Sequence, residues 1–135
     1  MSRSNFENLQ VYQLAEALAD AIWPTVSTWN GLARDTVGKQ LIRAADSIGA
    51  NIAEGSGRGS YQDNRRFARI ARASLYETKH WLRRAFKRGL ITQANVDIIK
   101  PLVDELAPRL NAYLRSIGPS TTPPKSHNEQ LTTDN

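Results

Sequence analysis

The chain of 135 residues contains no cysteine. Disulfides and thiolate metal sites are therefore excluded, and secretion gains no support. Histidine is nearly as scarce, with His80 and His127 alone, which leaves too few ligands for a metal site. Nowhere do about 18 apolar residues run together, and the opening MSRSNFENLQVYQ has no apolar stretch of signal-peptide length. A cytoplasmic, soluble protein without membrane contact or cofactor is expected. Strand-like alternation is also missing, because the apolar residues recur at three- and four-residue steps.

Nucleophilic chemistry is equally hard to assemble. Ser74 and His80 fall on one helical segment about 120° apart, and the acidic pair Glu16 and Asp20, one turn apart, is a common surface arrangement. The expectation is a non-enzyme.

What is present is four amphipathic helical segments. The first runs from about Phe6 to Thr28, with Pro24 bending it or beginning its final turn. Asn30-Gly31 marks a break. A second helix is expected from Asp35, as N-cap, to Glu54, with Gly55 as its left-handed stop. Gly38, Ala45 and Gly49 would let another helix approach closely. The third helix spans about Tyr61 to Arg88, with Ser60 as N-cap and Gly89 as terminator. The fourth, from Thr92 to Ile117, contains Pro101 and Pro108 and is expected to be kinked or broken. Short connections imply an all-α, antiparallel up-down four-helix bundle over residues 1–117. Residues 118–135 are polar and rich in Pro and Thr, the composition of a disordered tail.

GSGRG, residues 55–59, has the glycine content of a phosphate-binding loop. Such a loop feeds amides into a helix N-terminus, usually after a strand. Here a helix precedes it, and neither a Walker lysine nor the GxGxxG spacing is present. The glycines fit a helix end and a turn, leaving Arg58 beside the start of the third helix as an anion contact.

Charge is distributed unevenly. The net charge is +5, yet residues 58–88 hold ten Lys or Arg against Asp63 and Glu77. On a helical wheel Arg65, Arg69, Arg72, Lys79, Arg83 and Lys87 share an arc of about 80°, with Tyr76 inside it. Arg66, Arg84 and Arg88 form a flanking row, and Phe67, Ile70, Ala71, Ser74, Leu75, Thr78, Trp81, Leu82, Ala85 and Phe86 lie opposite. Cations along some 33 Å of helix suit the phosphate backbone of RNA or DNA, with contacts indifferent to sequence and weakened by salt. Tyr76 and His80 offer stacking to a single strand. The alternatives are an acidic protein partner and a solvated outer face.

On the second helix Gln40, Arg43, Ser47, Asn51 and Glu54 form one polar stripe. It either faces solvent or makes a hydrogen-bonded seam against a neighbouring helix or subunit, since Ser and Asn are poor choices for a merely solvated helix interior.

The run QLIRAADSIGANIAEG, residues 40–55, followed by Arg58, resembles the signature of the bacterial four-helix-bundle family named for proteins encoded by intervening sequences in the 23S ribosomal RNA gene. Phe67, Ala71, Ser74, Leu75 and Glu77 resemble a second block of that family, and Asn8-Leu9-Gln10-Val11-Tyr12 its start. The resemblance covers about residues 5–117. It implies an antiparallel four-helix bundle assembling into a ring-like homopentamer. Accessory proteins of diversity-generating retroelements are similar in fold, and in them a basic surface engages nucleic acid and a reverse transcriptase. No catalytic residues carry over; Gln40, Arg43, Ser47, Asn51, Glu54 and Arg58 are read as structural or interface positions.

Overall fold

A computed structural model describes residues 5–119, and every regular element among them is helical. A 3-10 turn at Phe6–Asn8 leads into α1, Gln10–Ser27. The other long helices are α2 at Lys39–Ser56, α3 at Tyr61–Lys87 and α4 at Gln93–Ser116. Each runs antiparallel to the one before it, as the short connections require. α1 packs on α2 and α4, and α3 packs on the same two, so the helices occupy the corners of a square. The α2–α3 contact is the most extensive of the four and the α3–α4 contact the least. Most of the expected tail, from residue 120 onward, lies outside the described residues, as do residues 1–4.

The apolar stripes meet in one core. Leu18, Ile22, Leu41, Ile48, Ile52, Leu75, Leu106 and Leu110 are almost wholly removed from water. Thr78 is buried with them, and its hydroxyl donates to the Ser74 carbonyl at 2.8 Å, whereas the buried Trp29 Nε1 has no hydrogen-bond partner among the described residues. Gly38, just before α2, admits the end of α1, since a Cβ there would sit 2.8 Å from Val26 Cγ1, whereas one at Gly49 would meet Tyr12 Cε1 at an ordinary 3.4 Å.

Helix ends follow local chemistry. Ser60 accepts from the Asp63 N–H at 3.1 Å, capping α3. At its other end Gly89 adopts φ +73°, and its N–H bonds the Phe86 carbonyl at 3.0 Å while the Leu90 N–H bonds Ala85 at 2.9 Å. That pair of bonds is a Schellman stop. Thr92 and Asn95 exchange side-chain and backbone bonds in a capping box that starts α4.

Two expectations need correction, and the break expected in the fourth helix is absent. α4 runs unbroken through Pro101 and Pro108, as α1 does through Pro24. All three prolines lie on exposed faces, where the carbonyls they leave without a helical partner can bond water. Asp35 does not cap α2. Gly31, with φ +59°, completes the reversal by itself, and helical winding resumes there. Asp35 then falls inside a π-helical turn, Arg34–Gly38, where it accepts from Arg34 Nε at 3.1 Å. Gly55 is not a left-handed stop, because α2 continues to Ser56 and the turn follows at Gly57–Gly59. Its role is steric: a Cβ there would sit 2.7 Å from Asn64 Oδ1 and 2.8 Å from Phe67 Cβ, both on α3.

This predicts that Gly55→Ala destabilises the fold. The helix-propensity gain of about 1 kcal/mol is outweighed by overpacking that costs roughly 1–3 kcal/mol, because Phe67 Cβ cannot swing away from its own backbone. Gly59→Ala, with nothing within 4 Å of the added methyl, should leave the urea midpoint near that of the parent. A rise in the Gly55→Ala midpoint would contradict the close-approach role.

Candidate nucleic-acid interface

The basic helix is α3, and its register is set by the neighbour on which it packs most extensively. Ala68, Ala71, Ser74, Leu75, Thr78 and Ala85 are buried, giving α3 a small-residue face that lies close to α2 and α4. The remaining circumference carries the cations. Ile70 and Phe86, placed on the apolar face by the wheel, are 39% and 49% exposed because they flank the buried strip rather than lie within it.

The cationic arc divides into two rows. Arg65, Arg72, Lys79 and Arg83 lie toward α4. Arg65 Nη1 donates to the Ile117 carbonyl at 2.9 Å and Arg72 Nη1 to Asn111 Oδ1 at 3.2 Å. Those two arginines tie α3 to the C-terminal half of α4 and are half-buried. Lys79 and Arg83 rim an open groove against the N-terminal half of α4. Arg69 and Lys87 turn outward and are exposed, Arg84 beside them is half-buried, and among the described residues none of the three forms an ion pair. Tyr76 is exposed in the same sector, with Lys79 Nζ 5.9 Å from its ring centre.

The cations nearest the α2–α3 turn are engaged locally. Arg58 bonds Glu54 at 2.7 Å and lies 4.7 Å from the Phe67 ring centre. Arg66 sits 4.5 Å above the same ring, with Asp63 3.5 Å away. This clamp on Phe67 explains why an arginine follows the glycine turn: its charge is directed back to α2. His80 is exposed and meets Trp81 edge-on, with ring centres 4.8 Å apart.

The polar stripe of α2 is a seam against α3. Ser47 Oγ and Ser74 Oγ are 2.9 Å apart, and Asn51 Nδ2 donates to the Ser47 hydroxyl at 3.0 Å and its carbonyl at 2.8 Å. Arg43 holds Gln40 Oε1 and forms an ion pair with Glu77 of α3. Trp81 Nε1 donates to the same Glu77 carboxylate at 3.1 Å. Glu77 and Trp81 were absent from the sequence-based set of site residues. The available signal was an isolated acid in a cationic helix, one turn before an indole N–H.

Opposite polarity appears on the far side of the bundle. α1 contains Glu16 and Asp20 and no Lys or Arg. Burial, with the Asp20 charge as the smaller contribution, raises the Asp46 carboxyl of α2 above the usual carboxylate range. Burial likewise raises the Tyr113 phenol, partly opposed by its bond to Asn64.

Removing Glu77 should cost more than removing Arg43. Their mutual ion pair is half exposed and worth about 0–1 kcal/mol, whereas Glu77→Ala also leaves the part-buried Trp81 N–H without its acceptor, a penalty of about 1–3 kcal/mol. Denaturant unfolding of Glu77→Ala, Arg43→Ala and the double variant measures the difference. Equal losses for the two single variants would remove the indole bond from this account.

The comparisons with known proteins agree with this geometry. The crystal structure of a protein of unknown function of the S23 ribosomal protein family, from Bacteroides thetaiotaomicron, has a similar fold, with a TM-score of 0.69 and 24% identity. The match covers 78% of this chain and 99% of that one. No curated protein matches. Among the described residues no helix is long and apolar enough to cross a membrane. The family model for the 23S rRNA-intervening sequence protein matches residues 7–112, a span that takes in α1, the α2–α3 seam, all of α3 and most of α4, and the chain belongs to that family.

Proposed function

We propose that the protein is a non-enzymatic, homo-oligomeric cytoplasmic bundle that binds RNA or DNA without sequence preference through the outward row of α3. The observation that carries this reading is the row itself: Arg69 and Lys87 stand in solvent along one helix, with the half-buried Arg84 beside them, and none of the three has a carboxylate partner among the described residues. Arg66 and Arg58 extend the positive surface toward the α2–α3 turn, although each shares its charge with a nearby acid. Tyr76 provides an exposed ring on which a base can stack.

Arg65 and Arg72 contribute to this function by holding α3 in place, since their guanidinium groups bond α4. Arg83 and Lys79 stand nearer the α3–α4 groove and add to the field over the helix. The non-enzymatic reading is supported by chemistry as well as by motif. His80 meets an indole rather than an acid, and Ser74 is buried in a hydroxyl pair with Ser47. A ring-like pentamer is the assembly that the family resemblance implies.

Titration of labelled single-stranded RNA and duplex DNA across a salt series tests the reading. Binding should be measurable at about 50 mM salt and fall steeply with added salt, with log–log slope near −0.9 per phosphate contacted on duplex DNA. Arg69→Glu combined with Lys87→Glu should weaken all sequences alike and lower the slope by roughly two. No binding at low salt, or a slope unchanged in the double variant, would contradict it.

A further inference from the structure

The weakest contact in the square of helices is α3 against α4. Beside the turn that joins them the two helices leave an open groove of about 490 Å³. Its floor is apolar, built by Leu82, Phe86, Ile91, Val96, Ile99 and Val103, and Lys79 and Arg83 stand on its α3 rim. Lys100 is also at the edge, but Asp104 neutralises it at 2.6 Å. A surface of this kind calls for a large apolar side chain flanked by carboxylates.

That combination occurs on the same chain, on helix α1, which lies diagonally across the bundle from α3. The outer face of α1 carries Glu16, Asp20 and Trp23, on successive turns or near them. Trp23 is 59% exposed, an unusual state for the largest apolar side chain. Asp46 of α2 adds a third carboxylate close to Asp20. Residues 5–56 as a whole hold six carboxylates against three cations, the reverse of the balance in α3. We infer that the α3–α4 groove seats the α1 face of a second copy of this chain, Trp23 entering the apolar floor while Asp20 and Glu16 meet Arg83 and Lys79.

The level of the two surfaces along the bundle supports the pairing. Trp23 lies in the last turns of α1, beside the α1–α2 connection. The groove lies beside the α3–α4 connection, which is at the same end of an up-down bundle. Copies joined in this way need rotation but little translation, and a heterologous contact of that sort closes into a ring where the rotation divides a full turn. The row Arg69, Arg84 and Lys87 lies about 40–100° further round α3 from Arg83, on the side away from the groove, and stays open in such an assembly. The pairing rests on the homo-oligomer reading and adds to it which two faces meet.

The contact is head to tail, so each copy has two unlike faces that can be disabled separately. Trp23→Asp removes the knob and Phe86→Asp spoils the groove; both side chains are exposed, so the core is left intact. Light scattering should give the parent chain a mass several times the 15.1 kDa of one copy and each variant the mass of one copy. An equimolar mixture should give a species of two copies and nothing larger, because one intact knob and one intact groove remain. Should Phe86→Asp lose helical circular dichroism, Arg83→Glu takes its place.

Variants that keep the parent mass, or a mixture that stays at one copy, would overturn the pairing while leaving a homo-oligomer of another design. A parent chain that is itself a monomer would overturn both.

Discussion

The contact between α2 and α3 is the constraint on which the rest of the molecule depends. It is the most extensive helix pair, and it is closed by the missing side chain of Gly55 and the small side chains Ser47, Ala71 and Ser74. Polar groups inside such a close contact must bond to one another, because an unpaired buried hydroxyl costs more than a bond returns. Ser47, Ser74 and Asn51 meet that requirement, and Arg43, Glu77 and Trp81 extend it toward the outer edge. The seam fixes the rotation of α3 about its axis, and that rotation decides which cations face α4 and which face water.

From that rotation the two surfaces of α3 follow. A row toward α4 divides lengthwise into arginines that bond α4 and cations that rim a groove. A row away from α4 has Arg69 and Lys87 exposed and Arg84 half-buried, all without carboxylate partners among the described residues. One strongly basic helix therefore carries structural bonds, the groove proposed to seat a second copy and the surface proposed to meet a polyanion without assigning one side chain to all three. The acidic outer face of α1 completes the arrangement, since it gives identical copies opposite charges on opposite sides.

Much of this was legible in the sequence, and the parts that were not share a physical cause. Ser60, Gly89 and Thr92 were readable because caps and stops depend on chemistry within a few residues. The α2 stripe was readable as a choice between solvent and seam, and packing on α3 made it a seam. Gly55 was misread because a glycine near a helix end looks the same whether it turns the chain or admits a neighbour. Asp35 was misread for a related reason: Asn30-Gly31 reverses the chain in fewer residues than a cap would need. The helical wheel grouped six cations in one arc but could not divide them, because the dividing line is the position of α4. Glu77 was read only as part of the family's second block and not as a site residue, although it stands one turn from the Trp81 indole.

The central claim is that α3 presents two functionally separate cationic rows. Lysine reactivity toward an acylating reagent, read residue by residue by mass spectrometry, measures it directly, because Lys79 stands on the groove row and Lys87 on the outward row. In the assembled protein Lys79 should already be protected relative to the Trp23→Asp chain, and Lys87 should become protected only when RNA or DNA is added. Protection of both lysines by nucleic acid alone, or a Lys87 that stays reactive in its presence, would contradict the division of the helix into an assembly face and a nucleic-acid face.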